Sequence, residues 1–210
     1  TWYNQPGTPK LEAKGQYDAA TQTYRLSLKQ SLKAHAKYPN LKAVPIPVAL
    51  ALFNADTGQQ YTLHCADLFV NEVKDGVYLF DQEEATIEFT GVAAQPVASL
   101  LRNFSAPVNL VFDYSDDDLA FLIQHETNGF NQWQATQTLL ERILLEDHQA
   151  DIYIQAIKNT LPELVNKDPL LASRLFDVPS ENYLGSRIDQ DYEPELIREK
   201  REAVLDRLAC

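Results

Sequence analysis

Methionine is missing altogether from this 210-residue chain, and cysteine nearly so, with two. A chain without Met is composed as expected of a segment excised from inside a longer polypeptide. Cys65 and Cys210 lie far apart, the second at the last position, too sparse for a disulfide framework. Two free thiols suit a reducing, cytoplasmic setting. The glycines are scattered singly, so no glycine-rich loop cradles a phosphate. Lys and Arg total 18 against 30 Asp and Glu, a net charge of −12, which argues against nucleic acid as a partner. No run of about 18 apolar residues is present, and no basic-then-apolar leader opens the chain, so neither a membrane span nor a secretory signal is expected.

What is there suffices for two modest domains: 45 % of the residues are hydrophobic and 23 % charged. The spacing of the apolar residues changes once, between Leu100 and Trp133. Before that seam they alternate. Val108, Leu110, Phe112 and Tyr114 share one side and Asn109, Val111 and Asp113 the other, which is strand periodicity. After it they recur at helical spacing, starting with Leu119, Leu122 and Ile123. Ser115 is placed to cap the first helix, and Asp116, Asp117 and Asp118 sit where the helix dipole favours negative charge. The expected fold class is therefore all-β followed by all-α: an immunoglobulin-like β-sandwich over 1–114, then an incomplete helical bundle or solenoid-like domain over 115–210. No Gly/Ser-rich or Pro-rich spacer separates the two.

Within the first part, strands are expected over Lys10–Tyr17 (ending near Gly15), Tyr24–Lys29, Val48–Phe53, Gln59–Leu63, Val77–Phe80, Thr86–Thr90 and Val108–Tyr114. Asp18–Gln22, Asn54–Gly58 and Asp75–Gly76 carry turn chemistry, and Ser31–Asn40 reads as a basic, irregular loop. In the second part, the first helix is expected to stop at Asn128-Gly129 and the next to start at Asn131, with Trp133, Thr136, Leu140, Ile143 and Leu144 buried. A third begins near Ala150 and is interrupted at Pro162, a fourth follows Asp168-Pro169, and a last starts at Pro194. The last carries an apolar stripe of Ile197, Val204, Leu205 and Leu208, for which self-association of a truncated helical half is the expected cover.

Chemistry-bearing motifs are few. His125-Glu126 resembles the start of HExxH, whose spacing puts two imidazoles on one helix face, but residue 129 is a glycine. A surface His-Glu pair is the plainer reading. His64 and Cys65, as strand neighbours, point to opposite faces, while His35 falls in the basic loop and His148 near a helix end, where the dipole favours it. Three consecutive aspartates lack the alternating ligands of a calcium loop, and no GxSxG is present. Trp2 and Trp133 are expected to pack. Site residues of every kind, catalytic, cofactor-binding and metal, are therefore expected to be none.

RNFSAPV (102–108), a strand, an acidic helix start and NxFxxW (128–133) together resemble the aminopeptidase N family of zinc metallopeptidases. WYNQPGTP (2–9) and LPELV…DPLLASRLFDVPSENYL (161–184) resemble the start of that family's third domain and part of its fourth. The resemblance implies a catalytic domain upstream of Trp2, since neither HExxH nor GxMEN occurs here; GVAAQ at Gly91 is not the latter. It further implies a non-catalytic segment, with zinc held by the parent enzyme rather than by this segment, and peptides as the parent's substrates. The remaining domains of the parent are its implied partners. The sandwich would bridge the catalytic domain to a helical domain that covers the active site. A stand-alone accessory module binding carbohydrate or protein is the alternative, since exposed aromatics on a sandwich stack on sugars.

Overall fold

The computed structural model describes residues 2, 5–33, 36–38, 41–64, 76–188 and 193–208, and the chain divides into two units, Thr1–Asp113 and Tyr114–Cys210. The expected turn residue Asp75, His35, Cys65 and Cys210 lie outside the described residues.

The strands described in the first unit are β1 (Lys10–Asp18), β2 (Thr23–Ser31), β3 (Ile46–Asn54), β4 (Val77–Phe80), β5 (Glu84–Phe89), β6 (Pro96–Leu100) and β7 (Asn109–Val111). They form one sheet in the order β5-β2-β1-β7 and another in the order β4-β3-β6. Neighbours are antiparallel except β1 and β7, which run parallel with Lys10 opposite Asn109. Leu11, Leu26, Leu28, Ile87 and Phe89 of the first sheet share a core with Ile46, Val48, Leu50, Leu52, Tyr78 and Phe80 of the second. This is an immunoglobulin-like sandwich, built on strand alternation.

Several local expectations are corrected. β1 does not end near Gly15 but continues to Asp18, because Gly15 is the seat of Tyr24. A Cβ at position 15 would lie 2.0 Å from the Tyr24 hydroxyl oxygen, so only glycine lets that ring lie across the strand. The turn after it is held by Asp18, whose Oδ1 accepts from the Ala20 N–H at 2.9 Å. Gln59–Leu63 is not a strand; a single bridge, Phe53 to Gln60, follows the Asn54–Gly58 turn. The chain turns away there, and the Tyr61 hydroxyl takes hydrogen bonds from Asn54 Nδ2 and the Ala94 N–H, at 2.9 and 3.0 Å. β6 escaped the sequence reading because all its residues are buried, which erases alternation.

Pro47 lies inside β3 without costing a ladder bond. Residues two apart send their N–H to the same edge, and Ala49 donates to Ser105 Oγ at 3.1 Å. β6 pairs only from Leu50 onward, so position 47 faces an edge where no strand accepts. The same Ser105 belongs to RNFSAPV, where Asn103 and Phe104 take φ of 56 and 53°, as Leu101 just before it takes 54°. Each such left-handed residue costs roughly 1–3 kcal/mol, which the surrounding contacts must offset. One offset is Ala106, 1 % exposed in the sandwich core.

The second unit comprises α1 (Asp116–His125), α2 (Gly129–Leu145), α3 (Ala150–Lys167), α4 (Pro169–Leu175), α5 (Glu181–Gly185) and α6 (Pro194–Leu208). Ser115 Oγ accepts from the Asp118 N–H at 3.0 Å while Asp118 Oδ2 accepts from the Ser115 N–H at 2.9 Å, a reciprocal cap on α1. Gly129 is not a C-terminal cap. α1 stops at His125, and Gly129 opens α2, with Asn128 Oδ1 accepting from the Asn131 N–H at 3.1 Å. The glycine there serves packing: a Cβ would meet Leu171 Cδ2 at 3.0 Å. α3 is not interrupted at Pro162. Pro162 and Lys158 are both exposed, so the carbonyl four residues back is left to water.

The Ile123 carbonyl, in the last turn of α1, accepts from Gln132 Nε2 of α2 at 2.6 Å and from Thr160 Oγ1 of α3 at 3.3 Å. α6 folds back on α2, α3 and α5, burying Ile197 and Val204. Arg201 Nε donates to the Pro179 carbonyl at 2.7 Å, and Lys200 Nζ reaches Asp147 Oδ1 at 2.6 Å. The expected stripe is thus divided: Ile197 and Val204 are covered within the unit, while Leu205 is 42 % exposed.

Candidate functional site

An apolar cleft of about 760 Å³ opens on the helical unit. α2 contributes Gly129, Phe130, Trp133 and Gln137 to it; α4 contributes Leu170, Leu171 and Arg174. The connection to α5 adds Asp177, Val178, Pro179 and Ser180, with Tyr183 on α5 itself. Asp168, at the end of α3, completes it and caps α4 by accepting from the Leu171 N–H at 2.9 Å. The two stretches that carry the family resemblance in this half, NxFxxW and DPLLASRLFDVPSENYL, therefore converge on one surface.

Polar groups in the cleft are held in place. Arg174 Nη1 pairs with Asp177 Oδ2 at 2.9 Å, and Gln137 Nε2 donates to the Asp177 carbonyl at 2.8 Å. The Tyr183 hydroxyl donates to Glu141 Oε1 at 2.5 Å; this bond, burial and the carboxylate's charge push the phenol above its ordinary pKa. Trp133 is only half-buried, against the expectation that it packs inside α2's stripe, because its ring forms a wall of the cleft. Leu170 and Tyr183 were not singled out from sequence. The signal was the doublet Leu170-Leu171 after Pro169: on one helical turn both cannot face the core, and Leu170 is 70 % exposed.

His125 and Glu126 are not the surface pair they suggest. His125 is exposed and lies against Phe121, ring centroids 4.5 Å apart, with partial desolvation lowering its pKa. Glu126 is buried, its Oε1 accepting from the Asn128 N–H at 2.7 Å, so it shapes the turn between α1 and α2. His148 has a partner the sequence did not reveal. Its Nδ1 lies 2.6 Å from Asp116 Oδ2, and Arg142 Nη1 lies 2.8 Å from Asp116 Oδ1. Burial raises the Asp116 pKa, but Arg142 and His148 outweigh it and hold the carboxyl below its ordinary value. His64 is exposed, and Trp2 Nε1 donates to the Pro45 carbonyl at 2.9 Å, so that indole is committed to the sandwich.

Among the described residues no three His, Cys, Asp or Glu converge to hold a metal, so the zinc that the resemblance implies finds no donor set in them. No described helix is long and apolar enough to cross a membrane.

Residues 7–113 match the family described as a domain of unknown function (DUF3458) with an Ig-like fold, and residues 116–210 match its C-terminal companion, described as ARM repeats. The chain is 33 % identical over 222 residues to aminopeptidase N of Escherichia coli, covering 99 % of this chain and 24 % of that protein. It is 34 % identical over 143 residues to aminopeptidase N of Haemophilus influenzae, covering 68 % of this chain and 16 % of the relative. A crystal structure of Legionella pneumophila aminopeptidase A in complex with aspartic acid superposes with a TM-score of 0.75 at 25 % identity, over 99 % of this chain and 23 % of that one. The chain thus spans about a quarter or less of the length of these relatives. It belongs to the aminopeptidase N family, in which it corresponds to the Ig-like domain and the ARM-repeat domain that follows it.

Proposed function

We propose that this chain is the non-catalytic part of a cytoplasmic zinc aminopeptidase that removes amino acids from peptide N-termini. In this reading the sandwich bridges the catalytic domain to the helical domain, which covers the active site and restricts which peptides enter. The observation that supports it most is collinearity: similarity to an aminopeptidase N runs over 99 % of this chain, Ig-like fold first and ARM repeats second, yet takes up 24 % of the relative. The parent's zinc, when bound upstream, supplies an activated water. This chain's own residues contribute shape. Gln30, Ser105 and Tyr61 fix the loops of the sandwich, while Gln132 and Thr160 fix the first three helices on one carbonyl.

Two measurements test it. The isolated chain should neither retain zinc through purification nor hydrolyse aminoacyl anilides; stoichiometric zinc with chelator-sensitive hydrolysis would overturn the reading. In the complete enzyme, replacing the segment equivalent to 115–210 should leave the zinc bound while shifting the preference among short and long peptides. Unchanged selectivity would remove the covering role.

A further inference from the structure

We propose that the cleft between α2, α4 and α5 binds an extended peptide carrying a bulky apolar side chain beside a cationic group. Its volume, about 760 Å³, lies within the roughly 300–1,000 Å³ of sites that enclose a ligand of that size. Trp133 and Tyr183 line it, and Leu170, 70 % exposed, is part of the same lining. Such walls take an apolar or aromatic side chain. Gln137 supplies a polar group: with Nε2 donating to the Asp177 carbonyl, its amide oxygen is left to accept a peptide N–H.

Charge selects the sign of the ligand. Arg174 and Asp177 neutralise each other across 2.9 Å. Asp168 also lines the cleft, and no cation lies within ion-pair distance of it among the described residues; its carboxylate accepts from the Leu171 N–H as a helix cap. The lining therefore carries one uncompensated carboxylate, on a chain whose net charge is −12. A cation is drawn in and an anion repelled. The choice of a peptide over another apolar cation rests on the reading above.

The chain offers its own probe, since it has two tryptophans and Trp2→Phe leaves Trp133 alone in reporting. Titrating that variant with a blocked Lys-Phe-Leu peptide should give a saturable change in emission, matched by calorimetry. Asp168→Asn keeps the cap and removes the charge. It should weaken the cationic peptide roughly three- to five-fold and leave an uncharged analogue unaffected. Leu170→Ala, at a position too exposed to threaten the fold, should weaken both about ten-fold. The proposal is overturned by no saturable binding up to about 1 mM peptide, by equal affinity for an acidic analogue, by indifference to both variants, or by a disaccharide binding where peptides do not. Such a failure leaves the domain reading standing, because zinc retention and hydrolysis by the isolated chain and peptide preference in the complete enzyme are separate measurements.

Discussion

At the scale of single residues, the positions that matter most in the sandwich are polar ones with every bond made. Gln30 is 6 % exposed; its Nε2 donates to the carbonyls of Val44 and Gln82, at 3.0 and 2.7 Å, and its Oε1 accepts from the Val44 N–H at 2.8 Å. Gln30→Leu keeps the volume but strands buried backbone groups, and should cost about 2–4 kcal/mol in urea unfolding with an unchanged m-value. A loss below about 0.5 kcal/mol would mean water replaces the amide. None of this was legible in the sequence, where Gln30 is one more polar residue at the end of a strand. Its partners lie 14 and 52 residues away, and hydrogen bonds at that separation leave no periodic trace. The same holds for His148, whose partner Asp116 is 32 residues earlier. Trp133 misled for a different reason: helical spacing gives a face, not the depth at which a large ring stops.

At the scale of elements, type was readable for most of them, Gln59–Leu63 and β6 being exceptions, while several boundaries were not. Ser115 and the three aspartates announce α1 because a cap is local chemistry. Asn128-Gly129 looks like a helix end, yet the same pair works as a helix start, with the Asn128 N–H donating to Glu126 and the Asn128 side chain accepting from the Asn131 N–H. Pro162 teaches the converse, that an exposed proline is tolerated in a helix anchored by buried Ile157, Thr160 and Leu164. Pro162→Ala should then raise stability by about 1–2 kcal/mol, restoring one helical bond against a small entropic gain of the unfolded chain. A lowered melting temperature would show that the proline is needed for packing. The clasp of α1 to α2 yields a pH prediction. The Asp116 carboxyl is held below its ordinary pKa in the fold, so its contribution is complete above the unfolded value and disappears as pH falls through the folded one. The stability gap between the native chain and Asp116→Asn should therefore close as pH falls below about 4. A gap unchanged into acid would assign the effect to packing instead.

At the scale of the whole molecule, two kinds of order follow each other along one chain, and the switch near Ser115 was the plainest message in the sequence. It was plain because strand and helix impose different periods on every residue of an element, so the signal accumulates. The cleft was not legible, since its walls come from stretches about a turn or two long that are separated by other helices. The −12 net charge acts on the molecule as a body. Raising sodium chloride from about 20 to 200 mM shortens the range of like-charge repulsion and should raise the melting temperature. A fall would mean that the surface ion pairs, such as Arg25 with Glu88 at 2.6 Å, outweigh the excess of acid.

The parallel pairing of β1 with β7 has a consequence for how the molecule is made. β1 ends at Asp18 and β7 begins at Asn109, so a ribosome must synthesise everything between them before that edge of the sheet can close. At about 5–20 residues per second this leaves the nascent strand with an open flank for roughly 5–20 seconds. Through that interval the edge carries Leu11, destined for full burial, beside Lys10 and Lys14. Those charges discourage pairing with a neighbouring nascent chain until β7 arrives.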